Sequence, residues 1–217
     1  MKTLNITDDS TNLTDKELFV KIWTSPSRVF QYLATNQYDK YVYILLILAG
    51  ATIIFDEEFI IKFSNKLPLW KFMGVSLFGA ILGAANLYLY ACLMGWTGKW
   101  VDGQGKIPDL VRVMAYALIP TIIALLVQLV FMAFYGNDIF LSNPNRPDSA
   151  MLNLATTFCF VVNAAAILYS AYLLVVGVST VHKITADKAI LNLVMPLLCL
   201  GIVAFIIVAL FLAVRAI

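Results

Sequence analysis

His182 is the only histidine in the chain, and Lys183 and Asp187 follow it closely. A histidine beside a carboxylate can move protons, but no nucleophile or second base accompanies this pair. A lone imidazole also holds no metal without further ligands. Structural use, or contact of His182, Lys183 and Asp187 with a partner, is therefore expected in place of catalysis. Cys92, Cys159 and Cys199 stand singly inside apolar runs with no Cys-x-x-Cys pair. They read as buried small hydrophobes, not as ligands or a disulfide framework. The stretch Thr97-Gly98-Lys99-Trp100-Val101-Asp102-Gly103-Gln104-Gly105-Lys106 is glycine-rich, yet Ile107 stands where a phosphate loop needs a hydroxyl. It reads as a flexible hairpin loop. No catalytic, cofactor-binding or metal-ligating residue is expected.

The elements that carry these residues are apolar. Of 217 residues 61% are hydrophobic and 13% charged, and the mean hydropathy is +0.86. Soluble domains are about 45–50% apolar and about 25% charged, and a water-soluble fold of this length cannot hide such an excess. The composition excludes a soluble enzyme, a disordered chain and a secreted disulfide module. A net charge of +2 gives no reason to expect a nucleic-acid partner. An integral membrane protein is expected, with no secretory signal because no apolar stretch begins before Tyr41.

Five apolar runs follow, giving an all-α bundle with five transmembrane helices at about 41–63, 70–96, 110–135, 152–178 and 189–214. Four of them exceed the ~20 residues that cross ~30 Å of hydrocarbon. The first counts 15 residues, Tyr41–Phe55, before Asp56-Glu57-Glu58. It either continues through Phe59-Ile60-Ile61 or re-enters without crossing. With span-end Arg112 included, ten of the fifteen Lys and Arg fall on the side of the N-terminus and of the loops 97–109 and 179–188. Positive residues stay cytoplasmic, so the N-terminus is expected inside and the C-terminus outside.

Within the spans no Asp, Glu, Lys or Arg lies near the midplane, which weighs against proton- or ion-coupled transport. Asn86 and Asn163 lie near the midplane and Gln128 farther out. An unpaired amide in hydrocarbon is costly, so each should face protein or trapped water, as interhelical glue or as the wall of a substrate cavity. Gly79 and Gly83, with Ser76, Ala80 and Ala84 beside them, form a small-residue face for close helix packing. Ala164-Ala165-Ala166 is a candidate opposite surface. Pro120 and Pro196 should each kink a helix by removing a backbone hydrogen bond.

Residues 1–40 read as a cytoplasmic tail with an amphipathic helix. Thr14-Asp15-Lys16-Glu17 is a capping box, and Leu13 and Leu18 stand at the positions of a hydrophobic staple. Ser25-Pro26 restarts the helix with Ser25 as N-cap and Pro26 at the first turn. The apolar face of Leu18, Phe19, Ile22, Trp23, Val29, Phe30 and Leu33 either lies on the membrane surface or packs on the ends of the spans.

Three pieces of the chain carry a family resemblance. They are Thr24-Ser25-Pro26-Ser27-Arg28-Val29-Phe30, then Arg112 to Pro120 with its Tyr116-x-x-x-Pro120 step. The third runs Gly177-Val178-Ser179-Thr180-Val181-His182-Lys183 with Ala189 to Pro196. Through them the chain resembles the Yip family of integral membrane proteins over about residues 20–214. The resemblance implies five helical spans and a cytosolic N-terminus. It also implies a role in vesicle traffic through small GTPases and through other membrane proteins. The short N-terminal tail looks more like the compact prokaryotic members, so the GTPase partner is not carried over and a prokaryotic inner membrane is the expected location. The expected role is a non-enzymatic adaptor or scaffold whose partners are lipids and other integral membrane proteins, a second copy or a transport complex among them. A small-solute or lipid transporter using the proline-bearing helices is the alternative.

Overall fold

The computed structural model describes residues 13–54, 69–140 and 147–215, and among them there are helices and no strands. Among the described residues eight α-helices follow one another: α1 Asp15–Thr24, α2 Pro26–Thr35, α3 Val42–Ile54, α4 Leu69–Thr97, α5 Ile107–Ala117, α6 Ile119–Tyr135, α7 Ala150–His182 and α8 Ala186–Arg215. Short 3-10 turns close α4 at Gly98–Val101 and α6 at Gly136–Ile139. Four helical stretches are long and apolar enough to cross a membrane: Gly74–Val101, Ile107–Tyr135, Ala150–His182 and Ala186–Ile206. The α3 helix is apolar but only 13 residues long. Its expected continuation toward residue 63 lies outside the described residues.

The sequence starts α1 as its capping chemistry requires. Thr14 Oγ1 accepts from the Glu17 amide at 3.4 Å, and the Glu17 carboxylate accepts from the Thr14 amide at 2.9 Å. Leu13 and Leu18 are both buried in the core, the pair the staple predicts. Ser25 differs from its expected role: its side chain caps nothing, and its carbonyl alone accepts from the amides of Arg28 and Val29. Pro26 sits in the first turn, where its missing N–H costs no helical bond.

Residues 13–40 do not trail from the bundle. Leu18, Ile22, Val29 and Phe30 are fully buried and share one core with Leu110, Val113, Tyr116, Leu173 and Val178. Of the two readings of the amphipathic face, packing on the span ends is the one observed. Phe19 stacks on Tyr116 with ring centroids 6.1 Å apart, and Trp23 stacks on Tyr169 at 5.2 Å. The Tyr169 hydroxyl donates to the Trp23 carbonyl at 2.9 Å.

Small residues set the helix spacing. Ser76, Gly79, Ala80, Gly83, Leu87, Ala91 and Met94 form one buried stripe at helical period along α4. That stripe meets α3, where Gly50 lies against the backbone of Ala80, Gly83 and Ala84 so closely that a side chain on either glycine would overlap main chain. The surface opposite Gly83 is thus α3 of the same chain, not the Ala164–Ala166 run. Gly177 does the same for α7: a methyl group there would run into Val113 and approach Phe30 at 3.2 Å.

The two prolines act differently. At Pro120 the stretch Ile107–Tyr135 is divided, with α5 ending at Ala117, Leu118 between, and α6 starting at Ile119. The ring cannot donate to the Tyr116 carbonyl, and Thr121 Oγ1 donates instead to the Leu118 carbonyl at 2.7 Å. Pro196 lies inside α8, whose helix runs on through it.

Candidate functional site at the loop end

The ends of α4, α5, α7 and α8 converge with α1 and α2 at one end of the bundle, and His182 lies in the middle of that end. It is 1% exposed, so the expected contact between His182 and a partner is not available. The reason is the glycine loop. Gly98, Gly103 and Gly105 all face the imidazole, and a methyl group on any of them would overlap the ring. The Gly105 amide donates to His182 Nδ1 at 3.0 Å and the Gln104 amide to the His182 carbonyl at 3.1 Å. Acceptance at Nδ1 leaves the ring proton on Nε2, which has no partner and is buried. The stretch expected as a flexible hairpin is instead a close wrap around one side chain. The periodic glycines were visible in the sequence, but the ring they accommodate lies about 80 residues away.

Polar ties hold the wrap to the neighbouring hairpin. Lys188 Nζ pairs with Asp102 at 2.8 Å, and Thr97 Oγ1 donates to Asn192 Oδ1 at 2.8 Å. Tyr90 donates its hydroxyl to the Leu193 carbonyl on the same side. Asp102 closes the turn with φ +63°, a conformation that Asn and Asp tolerate better than most residues. The Lys188 ammonium holds the Asp102 carboxyl below its usual range.

Two ionic clusters tie α1 and the segment before α3 to the bundle. Asp15 accepts from Lys40 Nζ at 2.5 Å, from the Tyr38 hydroxyl at 2.5 Å and from the Tyr41 hydroxyl at 2.7 Å. Lys40 first, then the phenols, hold the Asp15 carboxyl well below the carboxylate range. Burial, with Asp15 beside it, pushes the Tyr38 phenol up to about 12. Arg112 grips Asp39 in a fork, Nε at 2.7 Å and Nη2 at 3.1 Å, and reaches Asp109 with Nη1 at 2.5 Å. Its side chain is 6% exposed. Asp109 precedes Arg112 by one helical turn on α5, a local pairing, but Asp39 becomes recognisable as the second acid only once the 39–41 turn is folded against α5.

Lys183 and Asp187 are exposed, unlike His182. Beside Lys183 opens a polar groove of about 510 Å³ between α2, the 104–106 loop, the start of α5 and the end of α7.

Of the intramembrane amides, Gln128 and Asn163 come together and Asn86 stays apart. Asn86 lies beside the buried stripe of α4 and is exposed, whereas Asn163 lies on the helical period of the α7 stripe, between Cys159 and Ala166, and is exposed where that face opens into a cleft. Asn163 and half-buried Gln128 border a small cleft of about 90 Å³ with Thr156 and Cys159. Among the described residues no group of His, Cys, Asp and Glu is arranged to hold a metal. The arrangement offers packing, ion pairing and a polar recess, and no assembled nucleophile and base.

The Yip1 domain family model matches residues 20–208. The chain belongs to the Yip1 family. No curated protein and no solved structure matches it. In this Yip-family transmembrane protein the residues that carried the resemblance gather at the loop end. Pro26, Val29, Phe30, Tyr116, Gly177 and His182 are all buried there. Their spacing reflects how α2, α5 and α7 meet. Yip1 is not a known enzyme family.

Proposed function

We propose that this protein is a non-enzymatic adaptor or scaffold for other membrane proteins, within membrane organisation or traffic. Membership of the Yip1 family over residues 20–208 is the observation that carries this reading. Its ion-paired end with exposed Lys183 and Asp187 suits an adaptor, which reads its partner through exposed groups. The transporter alternative is weaker, because Asn86 is exposed beside the buried stripe of α4 and is not among the residues that border the cleft of Gln128 and Asn163.

The reading includes five crossings with the loop end in the cytoplasm. Its supports are the apolar α3 laid along α4 and the ten-to-five division of Lys and Arg. In a cysteine-free background, Gln104→Cys should resist an impermeant thiol reagent in sealed cells while Ser142→Cys reacts. The reverse pattern would invert the topology.

The adaptor role is tested by crosslinking the full chain in its own membrane and purifying it in mild detergent. A fixed set of membrane proteins should be retained in constant proportion, and Asp187→Lys should reduce that set several-fold. Retention that ignores the charge reversal, together with solute flux through proteoliposomes of the purified protein, would sink the adaptor and favour the transporter.

A further inference from the structure

The groove beside His182 combines features that packing alone does not require. Its walls include Gln31 and Thr35 of α2, Gln104 and Lys106 of the loop, and Thr180 and Lys183 at the end of α7. Among the described residues neither lysine is ion-paired. Asp109 also lines the groove, its carboxylate held by Arg112 at 2.5 Å, although Arg112 pairs with Asp39 as well. The recess therefore sets two ammonium groups against one carboxylate that is already bonded to a guanidinium, among neutral hydrogen-bonding side chains.

Lys183 adds an independent observation. It occupies the left-handed region at the end of α7, with φ +56°. Glycine fills this position at least cost, and a lysine there is strained. The Ile184 amide bonded to the Ser179 carbonyl at 3.1 Å, and Ser179 Oγ bonded to the Ile184 carbonyl at 2.6 Å, hold the backbone in this turn. The fold tolerates the lysine where glycine would be easier, and its side chain lines the groove.

The position in depth selects the ligand. The groove opens where Ile107–Tyr135 begins and Ala150–His182 ends, both stretches able to cross the membrane. Trp96 and Trp100 are exposed at the same end, with ring centroids 4.8 Å apart, as residues at a membrane–water interface are. Headgroup phosphates lie at this level, and basic recesses between span ends suit anionic lipid headgroups.

We propose that the groove between α2, the 104–106 loop and the end of α7 binds the phosphate of an anionic phospholipid headgroup, with Lys106 and Lys183 as its cationic contacts. The amides of Gln31 and Gln104 and the hydroxyls of Thr35 and Thr180 are the hydrogen-bonding groups around it. Lysine serves as a point charge here, which suits a headgroup that keeps its rotational freedom. The proposal goes beyond the adaptor reading and stands without it, since it needs no protein partner.

The test uses the full-length protein in mild detergent and native mass spectrometry, titrating separately with phosphatidylglycerol, phosphatidylcholine and inorganic phosphate. Phosphatidylglycerol should bind several-fold more tightly than phosphatidylcholine. The double variant Lys106→Gln with Lys183→Gln should weaken it roughly thirtyfold, about fivefold for each lysine near the surface. Lys183→Gly relieves the backbone strain and keeps the turn, so it should fold at least as well and still lose about fivefold. Lys99→Gln, an exposed change outside the groove, should do nothing. Equal binding of the two lipids, or indifference to the double variant, would overturn the proposal. Displacement of phosphatidylglycerol by millimolar inorganic phosphate would assign the groove to soluble phosphates and overturn the headgroup reading.

Discussion

The loop end and the far half of α8 have similar apolar side chains and opposite surroundings. At the loop end Leu18, Ile22, Val29, Phe30 and Tyr116 are wholly enclosed by protein. Along α8, Ile202 and Phe205 are 60% and 74% exposed, and Gly201 has no neighbouring atom within 4 Å of the place a side chain would take. In water such exposure would mark an unfinished surface. In a membrane, lipid tails are as apolar as leucine, so no hydrophobic force drives these side chains against protein. Hydropathy therefore locates the spans but not the core. The core is marked by other signs, namely amphipathic α1 and α2, the stripe of small residues on α4, and polar groups that need partners.

The largest effect should come from equal truncations in the two regions. Phe30→Ala removes a fully buried ring and should cost about 3–5 kcal/mol in reversible unfolding from mixed micelles. Phe205→Ala should stay within about 0.5 kcal/mol, because its neighbours are not protein atoms. Similar losses at both sites would mean that an unseen surface covers α8, and the contrast would fail.

A smaller and local effect should follow acidification. Glu17 is held down to about 2 from an ordinary value of 4.5, by Lys21 first and then by the Thr14 cap. Asp15 and Asp39 are lowered too, mainly by Lys40 and by Arg112. Carboxyls depressed in the folded state stabilise it above their unfolded values, and that contribution is lost as pH falls through the folded ones. Hydrogen exchange of the 15–24 amides, corrected for intrinsic pH dependence, should accelerate as pH drops from about 4.5 toward 2. Exchange in α8, which has none of these carboxylates, should hardly change. Unchanged protection of α1 down to pH ~2 would show that apolar packing alone secures α1 on the bundle.

Much of the architecture was legible because it rests on local chemistry. The capping box at Thr14 and Glu17 forms as written, since its partners lie three residues apart. The spans follow from composition over about 20 residues, and Gly83 lies at a close crossing because a helix can approach its backbone. The candidate site was less legible. His182 was visible as a lone histidine, but its enclosure by Gly98, Gly103 and Gly105 depends on a loop from another hairpin. Asn163 lies on the stripe of its helix and borders a cleft with Gln128, yet Asn86, also expected to turn inward, lies beside the buried stripe of α4. A single sequence fixes the period of a stripe but not which way a uniformly apolar helix faces, because every face is equally suited to lipid.

The sequence by itself determined that the chain is helical, apolar and built of hairpins, with a capped amphipathic segment before the first of them. Hydrogen bonding within helices and the transfer of side chains to hydrocarbon are short-range or compositional, so they need no knowledge of the fold. The tertiary structure decided that the N-terminal helices join the core and that Arg112 serves Asp39 and Asp109 together. It also decided that His182 is sealed while Lys183 stands over a polar groove. Each of these pairs groups far apart in the chain, and their meeting depends on how tightly small residues let the helices approach.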